Sequence, residues 1–141
     1  MSEQLQDDSG IHVLLVDDNE DQAFIAIETL SQDGRIEVTD VISGQACLDK
    51  LDENTYDLVI LDYSMPQMTG MEVLRKMRSS GIDVPVIMVT GYGDERVAVD
   101  AMKLGAADYI IKSGHYHELL PAIVLRTIEA QRHKMELEDS K

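Results

Sequence analysis

Apolar residues gather in short runs along this chain. His12–Val16, Leu58–Leu61, Val84–Val89 and Tyr109–Ile111 are each rich in Val, Ile and Leu. The middle pair is too continuous for strands with one wet face and fits strands covered on both sides. A weaker run, Ile36–Ile42, alternates and predicts a strand nearer an edge. Between the runs the spacing becomes helical. Glu20–Leu30 carries Ala23, Ile27 and Leu30 on one face with Phe24 beside them, and Gly34 is expected to stop it. Gly44–Leu51 predicts a short second helix. Thr69–Gly70 leads into Met71–Ser80, with Val73, Leu74 and Met77 inward and Gly81 as terminator. Asp94–Leu104 has acids in its first turn and ends at Gly105. The last helix begins near His117 and carries Leu119, Leu120, Ile123, Val124 and Ile128. Strand and helix alternate throughout, which implies an α/β fold: a parallel sheet with helices on both faces.

In such sheets functional groups collect at the carboxyl ends of the strands. Asp17 and Asp18 follow the first strand, Asp62 ends the third, Thr90 the fourth and Lys112 the fifth. Carboxylates brought together repel one another unless a cation compensates. An oxygen-only ligand set suits a hard ion such as Mg²⁺, with Mn²⁺ as a substitute, and no Cys/His cluster points to zinc. A carboxylate, a hard metal, a lysine and a hydroxyl are the parts that phosphoryl transfer uses. Aspartate can serve as nucleophile, while metal and lysine neutralise charge on the phosphoryl oxygens. Taken singly, Asp18 or Asn19 would read as a helix N-cap. Their joint placement with the other polar strand ends favours a site.

A length of 141 residues suggests one domain. The net charge of −15 argues against direct binding of nucleic acid, which relies on Lys and Arg neutralising phosphates. No apolar run approaches the roughly 20 residues of a membrane span. The acidic, polar start of the chain is unlike a secretory signal, so a cytoplasmic location is expected. Cys47 lies among apolar helix residues and reads as a buried, inert thiol.

These segments together resemble the receiver domain of two-component response regulators. The matching stretches are V-L-L-V-D-D-N-E at Val13–Glu20, D-L-V-I-L-D-Y-S-M-P at Asp57–Pro66, and M-T-G at Met68–Gly70. P-V-I-M-V-T-G at Pro85–Gly91 and G-A-A-D-Y-I-I-K at Gly105–Lys112 complete the set. The resemblance covers residues 10–130. It implies a doubly wound, flavodoxin-like or CheY-like (βα)5 fold with strand order 2-1-3-4-5. It implies Asp62 as phosphoacceptor, with Mg²⁺ on Asp18, Asp62 and the Ser64 carbonyl, and Asp17 acting through a metal-bound water. Thr90 and Lys112 would bond the phosphoryl group, and Tyr109 would turn inward as Thr90 moves. The donor would be phosphohistidine on a sensor histidine kinase or histidine phosphotransfer protein, or a small acyl phosphate. The surface of helix 4, strand 5 and helix 5 would bind an output partner or output domain, and a phosphorylation-dependent dimer is a further state of that surface. Any chemistry would be self-catalysed, with no turnover of a metabolite.

The family lysine is usually followed by proline, whereas Ser113 follows Lys112 here. A cis bond without proline costs roughly 2.5–4 kcal/mol, so a trans bond is expected. Ser64 and Tyr92 occupy positions that would tune the lifetime of the phosphoryl group. An aspartyl-phosphate phosphatase would want a second acid where Ser64 stands, and a partner-binding pseudo-receiver would lack the site set. Residues 1–9 are expected to form a disordered tail. Residues 131–141 are expected to extend the last helix, as a connector or a solvated end. His12 is expected to be structural, His115 and His117 to cap a loop, and Met65, Met68, Met71 and Met77 to pack.

Overall fold

The computed structural model of the chain describes residues 10–91 and 95–139, with side chains through Met135. The elements are β1 (Ile11–Val16), α1 (Glu20–Ser31), β2 (Ile36–Val41), α2 (Gly44–Glu53) and β3 (Leu58–Asp62). They continue with α3 (Gly70–Ser79), β4 (Val86–Thr90), α4 (Glu95–Lys103), β5 (Asp108–Ile111) and α5 (Tyr116–Asp139). The strands form one parallel sheet in the order β2-β1-β3-β4-β5. β3 and β4 are buried at every position, the burial expected of central parallel strands.

Successive strand residues face opposite sides, which divides the core in two. Val13, Leu15, Ile60, Ile87 and Val89 pack with Ala23, Ala26 and Leu30 of α1 and with Leu120, Val124 and Ile128 of α5. Leu14, Val16, Val59, Leu61 and Met88 pack with Cys47 of α2, Val73, Leu74 and Met77 of α3, and Val97 and Ala101 of α4. Burial raises the Cys47 thiol to about 12, so it stays protonated and inert.

Several helix details depart from the sequence expectation. Phe24 and Ile25 are exposed, whereas Ala26 joins Ala23 and Leu30 in the core. At 100° per residue, the face that reaches the sheet runs through the small alanines and turns Phe24 outward. Leu119 is exposed for the same reason, while its neighbour Leu120 is buried. Gly34 does not terminate α1. That helix closes at Gln32 in right-handed geometry, and the left-handed glycines among the described residues are Gly81, Gly105 and Gly114. Gly81 and Gly105 do follow α3 and α4, as expected. The run at Val84–Val89 enters the sheet only at Val86, after Pro85, and reaches Thr90. The last helix runs unbroken past residue 130 to Asp139, with Pro121 inside it. Among the described residues no helix is long and apolar enough to cross a membrane.

Candidate functional site

The carboxyl edge of the sheet positions the polar groups. Asp17 directly follows β1, Asp62 is the last residue of β3, Thr90 the last of β4, and Lys112 directly follows β5. Central strands lie side by side in register, so these ends meet. Carboxylate oxygens of Asp17, Asp18 and Asp62 lie within 4.8 Å of one another, the single such His/Cys/Asp/Glu group found among the described residues. Asp17 and Asp62 are each 5% exposed, whereas Asp18 is open to solvent.

Local hydrogen bonds distinguish the three acids. Asn19 caps α1 by accepting from Gln22 N at 3.0 Å, which leaves Asp18 free of the capping role. Asp17 accepts from Asn19 N through Oδ1 at 2.9 Å and faces Lys112 Nζ through Oδ2 at 3.6 Å. Asp62 Oδ1 accepts from Ser64 N at 3.2 Å, and Asp62 Oδ2 accepts from Lys112 Nζ at 3.1 Å. Burial pushes the Asp62 carboxyl up to about 6; the negative charge of Asp17 adds to this, while Lys112 and the Ser64 N–H oppose it. Three carboxylates beside one ammonium leave an excess of negative charge on hard oxygen ligands. That donor set fits a hard divalent cation.

The loop after β3 depends on a close backbone approach. A Cβ at Gly70 would stand 2.5 Å from the Asp62 carbonyl oxygen and 2.9 Å from Tyr63 Cα. Gly70 N also donates to the Tyr63 carbonyl at 2.9 Å. Thr69 and Glu72 form a reciprocal capping box, fixing the start of α3 against that loop.

Thr90 is buried, and among the described residues its hydroxyl makes only a long contact, 3.4 Å, to the Gly91 carbonyl. Tyr109 faces outward at 40% exposure. Ser64 is exposed beside the acids. Tyr92, the other lifetime position, lies outside the described residues, as does Asp94 at the expected start of the fourth helix. The Lys112–Ser113 bond is trans, and Gly114 in the following turn has φ +46. His12 is exposed and sits 3.1 Å from Glu37, and His115 pairs loosely with Glu118 at 3.7 Å. Neither His115 nor His117 belongs to a metal-capable group among the described residues.

Two contributors had no obvious signal in the sequence. Tyr116 is buried behind the acids and lines a cavity of about 10 Å³ with Asp17, Asp62 and Leu120. Burial, then the charges of Asp17 and Asp62, push its hydroxyl pKa upward. Gln22 reaches from α1 to accept from Lys112 Nζ at 2.5 Å. Its place four residues after Asp18, on the turn that begins α1, is the one hint the sequence carries.

The chain matches the family model described as the response regulator receiver domain over residues 13–124. It is 36% identical over 114 residues to transcriptional regulatory protein DltR of Streptococcus agalactiae, covering 81% of this chain and 51% of that protein. Regulatory protein AtoC of Escherichia coli is 33% identical over 129 residues, 92% of this chain and 28% of AtoC. This chain thus spans about half the length of the one relative and under a third of the other. Among solved structures, NtrX from Brucella abortus superposes with a TM-score of 0.84 at 26% identity, over 94% of this chain and 30% of that one. A receiver domain protein from Clostridium thermocellum gives 0.77 at 31% identity, over 86% and 97%.

Proposed function

The chain belongs to the response regulator receiver domain family, and on that footing we propose that it accepts a phosphoryl group on Asp62. The observation that carries this reading is a buried carboxylate at the end of the central strand β3, with Lys112 Nζ at 3.1 Å and the oxygens of Asp17 and Asp18 beside it. An Asp62 oxygen forms the new P–O bond as the donor's P–N bond breaks. The electron pair leaves with the imidazole nitrogen, which takes a proton from solvent. Lys112 turns its ammonium toward the phosphoryl oxygens, and the Thr90 hydroxyl trades its long contact with Gly91 for a bond to the same group.

The donor set of Asp18 and Asp62, with the Ser64 carbonyl, would hold Mg²⁺ or Mn²⁺, which supplies charge neutralisation for the phosphoryl oxygens when bound. Asp17, buried and bonded to Asn19 N and Lys112 Nζ, would act through a metal-bound water, whereas the solvent-open Asp18 would bind the ion directly.

Movement of Thr90 opens space that the exposed Tyr109 ring can enter, since Tyr109 pairs with Met88 on β4, two residues before Thr90. The face of α4, β5 and α5, where Val99, Met102, Tyr109 and Ile111 are exposed, then changes for an output partner or a second copy. The donor is a sensor histidine kinase or histidine phosphotransfer protein, residues 131–139 of α5 serve as connector, and the protein works in the cytoplasm. It is a switch with only self-catalysed chemistry. The exposed Ser64, where a phosphatase would place a general acid, supports that.

Phosphotransfer from purified histidine kinases tests the reading. The wild type takes label with Mg²⁺ and takes none when EDTA is present from the start, and Asp62→Asn takes none. Equal labelling of Asp62→Asn contradicts it.

A further inference from the structure

Lys112 is the first residue beyond β5, and its backbone is pinned there by Lys112 N donating to the Thr90 carbonyl at 2.8 Å. Its side chain is less constrained by sequence. A lysine stem has four rotatable carbons and loses about 2 kcal/mol of rotamer entropy when fixed. The residues that follow, Ser113 and Gly114, are exposed. Something must therefore hold the ammonium at the acids.

Three acceptors surround Lys112 Nζ: Gln22 Oε1 at 2.5 Å, Asp62 Oδ2 at 3.1 Å and Asp17 Oδ2 at 3.6 Å. The last is beyond good hydrogen-bond length and contributes mainly charge. An ammonium has only donors, so the Gln22 amide must present its oxygen to it. Gln22 itself is held on the opening turn of α1, where its backbone N–H donates to the Asn19 cap at 3.0 Å. The contact joins residues 90 positions apart.

Phosphorylation of Asp62 consumes one of these contacts, because Lys112 must turn its donor from the Asp62 carboxylate to the phosphoryl oxygens. Of the two short hydrogen bonds, the one to Gln22 can persist through the reaction. It is also neutral. A carboxylate in its place would offset the positive charge that the incoming phosphoryl group needs, whereas an amide oxygen fixes the ammonium and leaves its charge available.

We propose that Gln22 is a positioning residue for Lys112, holding the ammonium over Asp62 throughout phosphoryl transfer. The inference rests on the reading of Asp62 as acceptor. It is tested on the full chain with acetyl phosphate as donor, by measuring the labelling rate of wild type, Gln22→Met, Lys112→Ala and the double variant. Methionine matches the shape of glutamine, lacks the oxygen and suits a helix. Gln22→Met is expected to label about tenfold more slowly, the scale of a lost hydrogen bond to a charged group. Half-saturating Mg²⁺ should be unchanged, since Gln22 does not touch the acids' free oxygens. In the Lys112→Ala background the same substitution should have no further effect, because its partner is gone. Equal rates for wild type and Gln22→Met overturn the inference, as does an undiminished tenfold loss in the Lys112→Ala background. Both results leave Asp62 as acceptor. A wild type that does not label at all overturns that acceptor role and the inference with it.

Discussion

In the metal-free protein the Asp62 carboxyl ionises at about 6, because burial and the neighbouring Asp17 charge disfavour its anion more than Lys112 supports it. Its unfolded value is about 3.9. The folded state therefore holds a proton that the unfolded state has released between these values. The resulting stability is present below about pH 4 and is lost as pH rises through 6. Asp62→Asn removes the penalty. Urea unfolding in EDTA should show it more stable than wild type at pH 7 by about 1–2 kcal/mol, discounted for solvent screening, with the gap closing toward pH 4. A gap that widens on acidification would contradict the assignment. Gly70 offers a second test at this scale. Its Cβ would meet the Asp62 and Tyr63 backbone, which cannot swing aside as a flexible side chain could. Gly70→Ala is expected to cost about 1–3 kcal/mol in denaturant and to slow labelling of Asp62, because relief of the clash displaces the acceptor loop. Unchanged stability would show that the loop yields freely.

At the scale of elements, helix faces separate the side chains that hold the fold from those left for partners. Leu119 and Leu120 are adjacent in sequence, yet Leu119 is 56% exposed and Leu120 is 1% exposed against the sheet. Leu120→Ala should cost about 2–5 kcal/mol, and Leu119→Ala should fall within about 0.5 kcal/mol of wild type, both read by denaturant midpoints. Similar costs for the two would mean that α5 is rotated. This pair also shows where sequence reading ends. Strands were legible because β3 and β4 are buried on both sides, so their apolar runs leave no ambiguity. Helix faces were legible for α3, where Val73, Leu74 and Met77 share one stripe between charged residues. In α1 the face of Ala23, Ile27 and Leu30 was legible, but Phe24 beside it turns outward, and hydrophobicity alone did not show that the small Ala26 takes its place in the core. Gly34 misled for a related reason. A glycine after a helix marks its end only where the backbone turns left-handed, and here it does not.

For the whole molecule, the order β2-β1-β3-β4-β5 gathers groups from chain positions as distant as 17 and 112 at one sheet edge. The gathering of Asp17, Asp18, Asp62, Thr90 and Lys112 at one edge was legible because it needs only the strand boundaries. Gln22 and Tyr116 were not, since each reaches the acids from a helix through a contact that only packing reveals. The net charge of −15 favours basic partner surfaces over acidic ones. Borohydride trapping tests the central claim most directly, because it reduces an aspartyl phosphate to homoserine that peptide mass spectrometry locates. After reaction with acetyl phosphate and Mg²⁺, the account predicts homoserine at position 62 and nowhere else. Homoserine at another aspartate, or none at all, would contradict it.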